Sequence, residues 1–117
     1  MTYSIQRIYQ YTGQKPAIFV DRLWPRGIHK ETLADIPWMK EIAPSSMLRK
    51  WLHEDRMNHY AEFCQRYEQE LKAPEQLEQL KQVKQLQQQN GTLTLLTAAK
   101  ELELSHVPVL IQVLQKI

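Results

Sequence analysis

Hydrophobic and polar positions change period several times along the 117 residues, and each change marks an element. "YSIQRIY", residues 3–9, alternates in the manner of a half-buried strand, with Ile5 and Arg7 on one face. "QYTGQKP" breaks the alternation and reads as a loop. "AIFVDRL", residues 17–23, is mostly apolar and rich in β-branched and aromatic side chains. It predicts a central strand covered on both faces. "TLTLLTA", residues 92–98, predicts a third strand.

Between the second and third strands the period lengthens to that of a helix. "KETLADIPWMKEIAP", residues 30–44, predicts a short helix interrupted near Pro37, because proline is tolerated only in a helix's first turn. "PSSMLRKWL", residues 44–52, offers Ser45 or Ser46 as N-cap of another short helix, with Trp51 packed beneath the helices. Residues 56–72 form the clearest long helix, whose expected apolar stripe is Met57, Tyr60, Ala61, Cys64, Tyr67 and Leu71. Pro74 suits the first position of the next helix, which runs to about Gln89 with Leu77, Leu80 and Val83 inward. Asn90-Gly91 can end it at a positive φ. "SHVPVLIQVLQKI", residues 105–117, predicts a final helix capped by Ser105, leaving Pro108 in its first turn.

A strand-strand-helices-strand-helix order needs a crossover before the third strand, and parallel crossovers are right-handed. The expected class is α/β: a small single-domain layered fold with a short, mainly parallel sheet flanked by helices, spanning residues 1–117.

Composition adds limits. Hydrophobic residues at 43% and charged residues at 24% are ordinary for a globular domain, and a formal charge of +2 gives no global basic field for nucleic acid. The first 30 residues are nevertheless locally basic, with Arg7, Lys15, Arg22, Arg26 and Lys30 against Asp21 alone. A single cysteine, Cys64, rules out an internal disulfide and disfavours a Cys-rich zinc site. "MTYSIQRIYQ" lacks a secretory signature, and no apolar run is long enough to cross a bilayer. The expected setting is a reducing cytoplasm, away from membranes.

In open parallel sheets, ligands bind outside the carboxyl ends of the strands. Two segments should meet there: Asp21 to Lys30 after the second strand, and "TAAKELELSH", residues 97–106, after the third. They supply Arg22, Arg26, Lys100 and His106 as cations or donors, with Asp21 and Glu101 as carboxylates. His106 would stand at a helix start, where free N–H groups favour an anion, and an arginine fork adds bidentate recognition. Trp24, between the arginines of "VDRLWPRG", would wall the pocket and limit water access. No G-x-S-x-G elbow, P-loop or G-x-G-x-x-G fingerprint occurs, which disfavours serine hydrolases, P-loop NTPases and dinucleotide oxidoreductases. The remaining histidines have no coherent metal-ligand spacing, so neither a metal nor a cofactor is expected.

"VDRLWPRG", "WMKEIAPSSMLRKWL", "FCQRYEQEL" and "TLLTAAK…SH" resemble, in order, the blocks of the YeaO-like family of uncharacterised proteins, from about Arg7 to Leu114. The resemblance implies a small α/β fold with a shared site and no settled reaction. Its blocks fall on Asp21, Arg22, Trp24, Pro25, Arg26 and Gly27, then on Trp38, Glu41, Pro44, Ser45, Leu48, Arg49 and Trp51. The last fall on Lys100 and His106. The chain departs at Thr97, where the family usually has an aromatic residue, at Ser105, where it has asparagine, and at Pro108, which replaces a more ordinary helix former.

The candidates for proton handling are therefore Asp21, Glu41 and His106, and those for ligand contact are Arg22, Trp24, Arg26, Ser45, Arg49 and Lys100. Each has a structural alternative. Asp21 could pair with Arg22, Arg26 or Arg49; Glu41 could orient an arginine; His106 could pack against the strand end. Two functions remain open: an enzyme acting on a small nucleotide or phosphate-containing molecule, or a non-catalytic module holding a small anion. Nucleic-acid contact through the basic first quarter is a third, opposed by the small net charge.

Overall fold

The computed structural model describes residues 2–117. Its elements are β1 (Thr2–Arg7), β2 (Ala17–Phe19), α1 (Ser46–Glu54), α2 (Arg56–Leu71), α3 (Pro74–Asn90), β3 (Thr92–Thr97) and α4 (Val107–Lys116), with four single turns of 3-10 helix between them. All strands run parallel in the order β1-β3-β2, with Thr2 opposite Thr92 and Ala17 opposite Thr94. The α/β class and the parallel sheet expected from the sequence are both present. No helix among the described residues is long and apolar enough to cross a membrane.

Alternation along the strands divides the apolar residues between two cores. Ile18, Val20, Leu93 and Leu95 face all four α-helices and meet Phe63, Tyr67, Leu80, Leu110 and Leu114. Ala17, Phe19 and Leu96 face the other way, onto a smaller cluster with Ile8, Leu33 and Ile36. Beside that cluster the β1–β3 surface is polar, with Thr2 bonded to Thr92 and Ser4 to Thr94 through their hydroxyls, each at 3.2 Å.

Several expectations need correction. β2 is covered on both faces, as its composition predicts, but the central strand is β3. Residues 30–44 form no helix. They make two separate 3-10 turns, Lys30–Leu33 and Lys40–Ile42, joined by an extended piece at Trp38 that pairs with the outer edge of β2. Phe19 N–H donates to Pro37 O at 2.9 Å and Met39 N–H to Phe19 O at 2.8 Å, so bonds to a strand replace those a helix would make. Pro37 adds to this by driving the residue before it out of the helical region.

On α2 the buried stripe is Phe63, Tyr67 and Leu71, while Met57 and Ala61 face outward. Asp55 caps this helix through Asn58 N–H. Trp51 is half-buried rather than enclosed, stacked on the His59 ring at 3.9 Å with the Arg66 guanidinium 4.3 Å from its ring centre. Ser45 is the N-cap of α1, and Gly91, at φ 77°, ends α3 as Asn-Gly predicts. α4 begins after His106 rather than after Ser105. The Ser105 hydroxyl still accepts from Val107 N–H at 3.3 Å, so it serves the helix start from one residue further back.

Candidate functional site

The last strand bond of β2 runs from Val20 N–H to Leu96 O, after which β2 and β3 diverge. Asp21 holds the gap together. Its carboxylate accepts from Thr97 Oγ1 at 2.7 Å and from Ala98 N–H at 2.8 Å, and lies 3.5 Å from His106 Nε2. Nε2 of His106 also lies 2.8 Å from Val20 O. A carbonyl can only accept, so Nε2 carries the proton and the neutral ring has its lone pair on Nδ1. The ring stands edge-on to Tyr67, whose hydroxyl donates to Ile42 O. Burial and the nearby Glu70 and Asp21 carboxylates hold the Tyr67 phenol well above its ordinary pKa.

Other rim residues are fixed through backbone carbonyls. Arg22 donates from Nε to Pro44 O at 2.9 Å and from Nη2 to Ala43 O at 3.0 Å, drawing the segment before α1 against the strand ends. Trp24 Nε1 donates to Ile28 O at 2.7 Å and closes the turn that contains Gly27, whose φ of 76° favours glycine. Tyr9 donates to Arg26 O and Arg7 to Ala99 O, so the end of β1 braces both rim segments.

Between this rim and the α1–α2 corner lies a cleft of about 620 Å³. Arg22, Arg26, Arg49, Arg56 and Lys100 line it, with His53 and His106, against only Asp21 and Glu101 as carboxylates. Ion pairs within 4.0 Å among the described residues are Lys15–Asp35, Arg66–Glu62 and His106–Asp21, so none of the five cleft cations has a carboxylate partner. Arg49 Nε is buried and has no hydrogen-bond partner among the described residues. Arg56 Nη2 lies 3.0 Å from His53 Nδ1 and donates to it. Burial, then Arg56, then Arg49 lower the His53 pKa.

The structure thus brings Asp21, Arg22, Arg26, Lys100, Glu101 and His106 to one cleft, as the strand-end reasoning predicts, together with Trp24 and with Arg49, a candidate from the family resemblance. Two candidates are elsewhere. Glu41 sits on the 3-10 turn beside α3, where its backbone carbonyl accepts from Gln76, and its side chain does not line the cleft. Ser45 is occupied as a cap, accepting from Leu48 N–H while its hydroxyl and backbone N–H both donate to Glu70. His53 and Arg56 were not among the sequence candidates. The signal for them is the spacing R-x-x-x-H-x-x-R from Arg49, which puts Arg49 and His53 on one face of α1 and Arg56 at the start of α2.

His106 makes stability depend on pH. Its pKa is lowered from 6.5, chiefly by burial, while Asp21 and the bond to Val20 oppose the shift. The unfolded chain therefore binds this proton more readily, and the stabilisation present above 6.5 is lost as pH falls through the folded value. The melting temperature is expected to drop between pH 7 and pH 5, and His106→Gln should flatten that slope. His53 shifts in the same direction, so part of the slope should remain. Parallel profiles for the two proteins would show that His106 is not the group responsible.

These features define a class: a small parallel-sheet α/β domain with a basic cleft at the carboxyl ends of its strands. The chain belongs to the family described as "Inactive DUF488-N3 subclade", whose pattern it matches over residues 2–117. It is 40% identical over 112 residues to the uncharacterised protein YeaO of Escherichia coli strain K12, covering 94% of each chain. It is 35% identical over 102 residues to uncharacterised proteins of Mycobacterium bovis and Mycobacterium tuberculosis, covering 87% of this chain and 80% of each relative. No solved structure matches it.

Proposed function

We propose that this protein binds a small phosphate-containing anion in the cleft and does not chemically transform it. The observation that carries this reading is the set of five cations on one cleft with no carboxylate partner, one of them with a buried donor left unpaired. The buried, unpaired Arg49 donor is costly, and an oxyanion drawn to the cations around it would compensate it through charge-assisted hydrogen bonds. Two features favour binding over turnover. Both Asp21 oxygens accept hydrogen bonds, and the His106 Nε2 proton is held by Val20 O, so the groups best suited to proton transfer are engaged in holding the strand ends. The family description also carries the word "Inactive".

Calorimetric melts with inorganic phosphate and with a nucleoside monophosphate test the proposal. Ligand at about 100 times its dissociation constant should add about 2.7 kcal/mol of apparent stability. Arg26 is exposed, so Arg26→Ala should leave the unliganded transition nearly unchanged and abolish the ligand shift. Arg26→Lys should restore it only in part, since a point charge does not reproduce a planar fork. A wild-type transition that no anion moves, or an Arg26→Ala protein that fails to fold, would overturn the reading. Release of phosphate from the nucleotide would replace binding with catalysis.

A further inference from the structure

The five cations come from two parts of the chain. Arg22, Arg26 and Lys100 come from the strand ends, whereas Arg49 and Arg56 come from the α1–α2 corner. The corner group is itself a unit. Arg49 and His53 share one face of α1, and Arg56 reaches His53 from the first residue of α2 at 3.0 Å. Arg49 Nε is buried without a partner, and nothing among the described residues neutralises either guanidinium.

From this grouping we infer that the cleft has two oxyanion subsites, and that its ligand carries two linked anionic groups of the diphosphate class. The corner subsite is made of Arg49, His53 and Arg56; the rim subsite is made of Arg22, Arg26 and Lys100. The inference rests on the phosphate-binding reading above and extends it.

Charge and volume both fit. Five cations face two carboxylates across the cleft, and one of those carboxylates, Asp21, is already enclosed by Thr97, Ala98 and His106. A monophosphate brings at most about two negative charges and leaves one cluster uncompensated, while a diphosphate brings about three. At about 620 Å³ the cleft also falls in the range that encloses an organic ligand rather than a lone oxyanion. The corner donors suit phosphate oxygens: two planar guanidinium groups, plus an imidazole whose Nδ1 is already served by Arg56 and whose opposite nitrogen carries the proton.

Titration calorimetry with inorganic phosphate, pyrophosphate, AMP and ADP distinguishes the possibilities. Pyrophosphate is expected to bind more tightly than phosphate, and ADP more tightly than AMP, each by on the order of tenfold or more. Arg56→Gln should weaken pyrophosphate and ADP by about tenfold more than it weakens phosphate. Arg49→Gln should do the same; if its melt shows that it does not fold, Arg56→Gln decides alone, because among the described residues the Arg56 side chain bonds only to His53. Phosphate that binds as tightly as pyrophosphate would sink the two-subsite inference and leave the phosphate-binding reading standing. So would an Arg56→Gln variant that weakens all four ligands equally. If none of the four binds, both fail.

Discussion

Replacing Asp21 with alanine is expected to cost about 3–5 kcal/mol of folding stability, the range for breaking a buried charged network from one side. The carboxylate is the only described acceptor for both the Thr97 hydroxyl and the Ala98 N–H, and it also faces His106. Its side chain keeps only 17% exposure, so water repairs little of the loss. Alanine strands two donors where the β2 and β3 ends part, and it removes the charge that supports His106. The informative companion is Asp21→Asn. One amide oxygen still accepts one of the two bonds, while the new NH₂ meets a donor, so the expected cost is about 1–3 kcal/mol. Urea midpoints of the two variants measure the effect. A midpoint for Asp21→Ala within error of wild type would show that the aspartate does not clamp the strand ends, and would reopen a proton-transfer role.

Tyr67→Ala should be comparably severe, at about 3–5 kcal/mol. The ring is fully enclosed, stacks near Phe63, and meets the His106 ring edge-on, so truncation leaves a cavity between α2 and the strand ends. Tyr67→Phe keeps the packing but leaves Ile42 O without its donor, for about 1–2 kcal/mol. Because Ile42 immediately precedes the Ala43–Pro44 carbonyls that hold Arg22, the phenylalanine variant should also loosen that arginine. It should therefore weaken phosphate binding more than its small stability loss accounts for. Chemical denaturation and phosphate titration on the same preparation separate the two effects.

Much of this arrangement could be read from the sequence because it depends on local pattern. Three β-rich runs gave three strands, Pro74 and Asn90-Gly91 bracket α3, and the rule for strand ends brings the two rim segments together. What the pattern misses is set by partners distant in the chain. Residues 30–44 have helical spacing, yet the free edge of β2 takes the Pro37 and Met39 backbone groups, and sheet pairing prevails over local preference. On α2, counting Met57 and Ala61 as inward turned the stripe away from Phe63, because period alone does not say which apolar residues find a partner. The site divides in the same way. Arg26 and Lys100 follow from topology, whereas His53 and Arg56 join the cleft only because the α1–α2 corner packs over the rim. Glu41 and Ser45 lie near the right segments, but Glu41 does not line the cleft and Ser45 is bonded to Glu70.

The strand order also bears on how the chain is made. β3 is the shared partner of β1 and β2, yet Thr92 follows its partner Thr2 by 90 positions, and Thr94 is similarly distant from Ala17. During synthesis the edges of β1 and β2 that β3 fills stay open until residues 92–97 appear, on the order of ten seconds later at cellular elongation rates; before then only residues 37–39 can pair with Phe19, from the other side. For most of that interval Ile18, Phe19 and Val20 lack the β3 edge, and the ribosome-bound chain presents an apolar segment paired on one side at most. Long-range pairing of this kind also slows the folding step itself. The nascent chain is accordingly a better target for a chaperone that recognises extended apolar segments than the finished protein, whose β2 residues are fully enclosed.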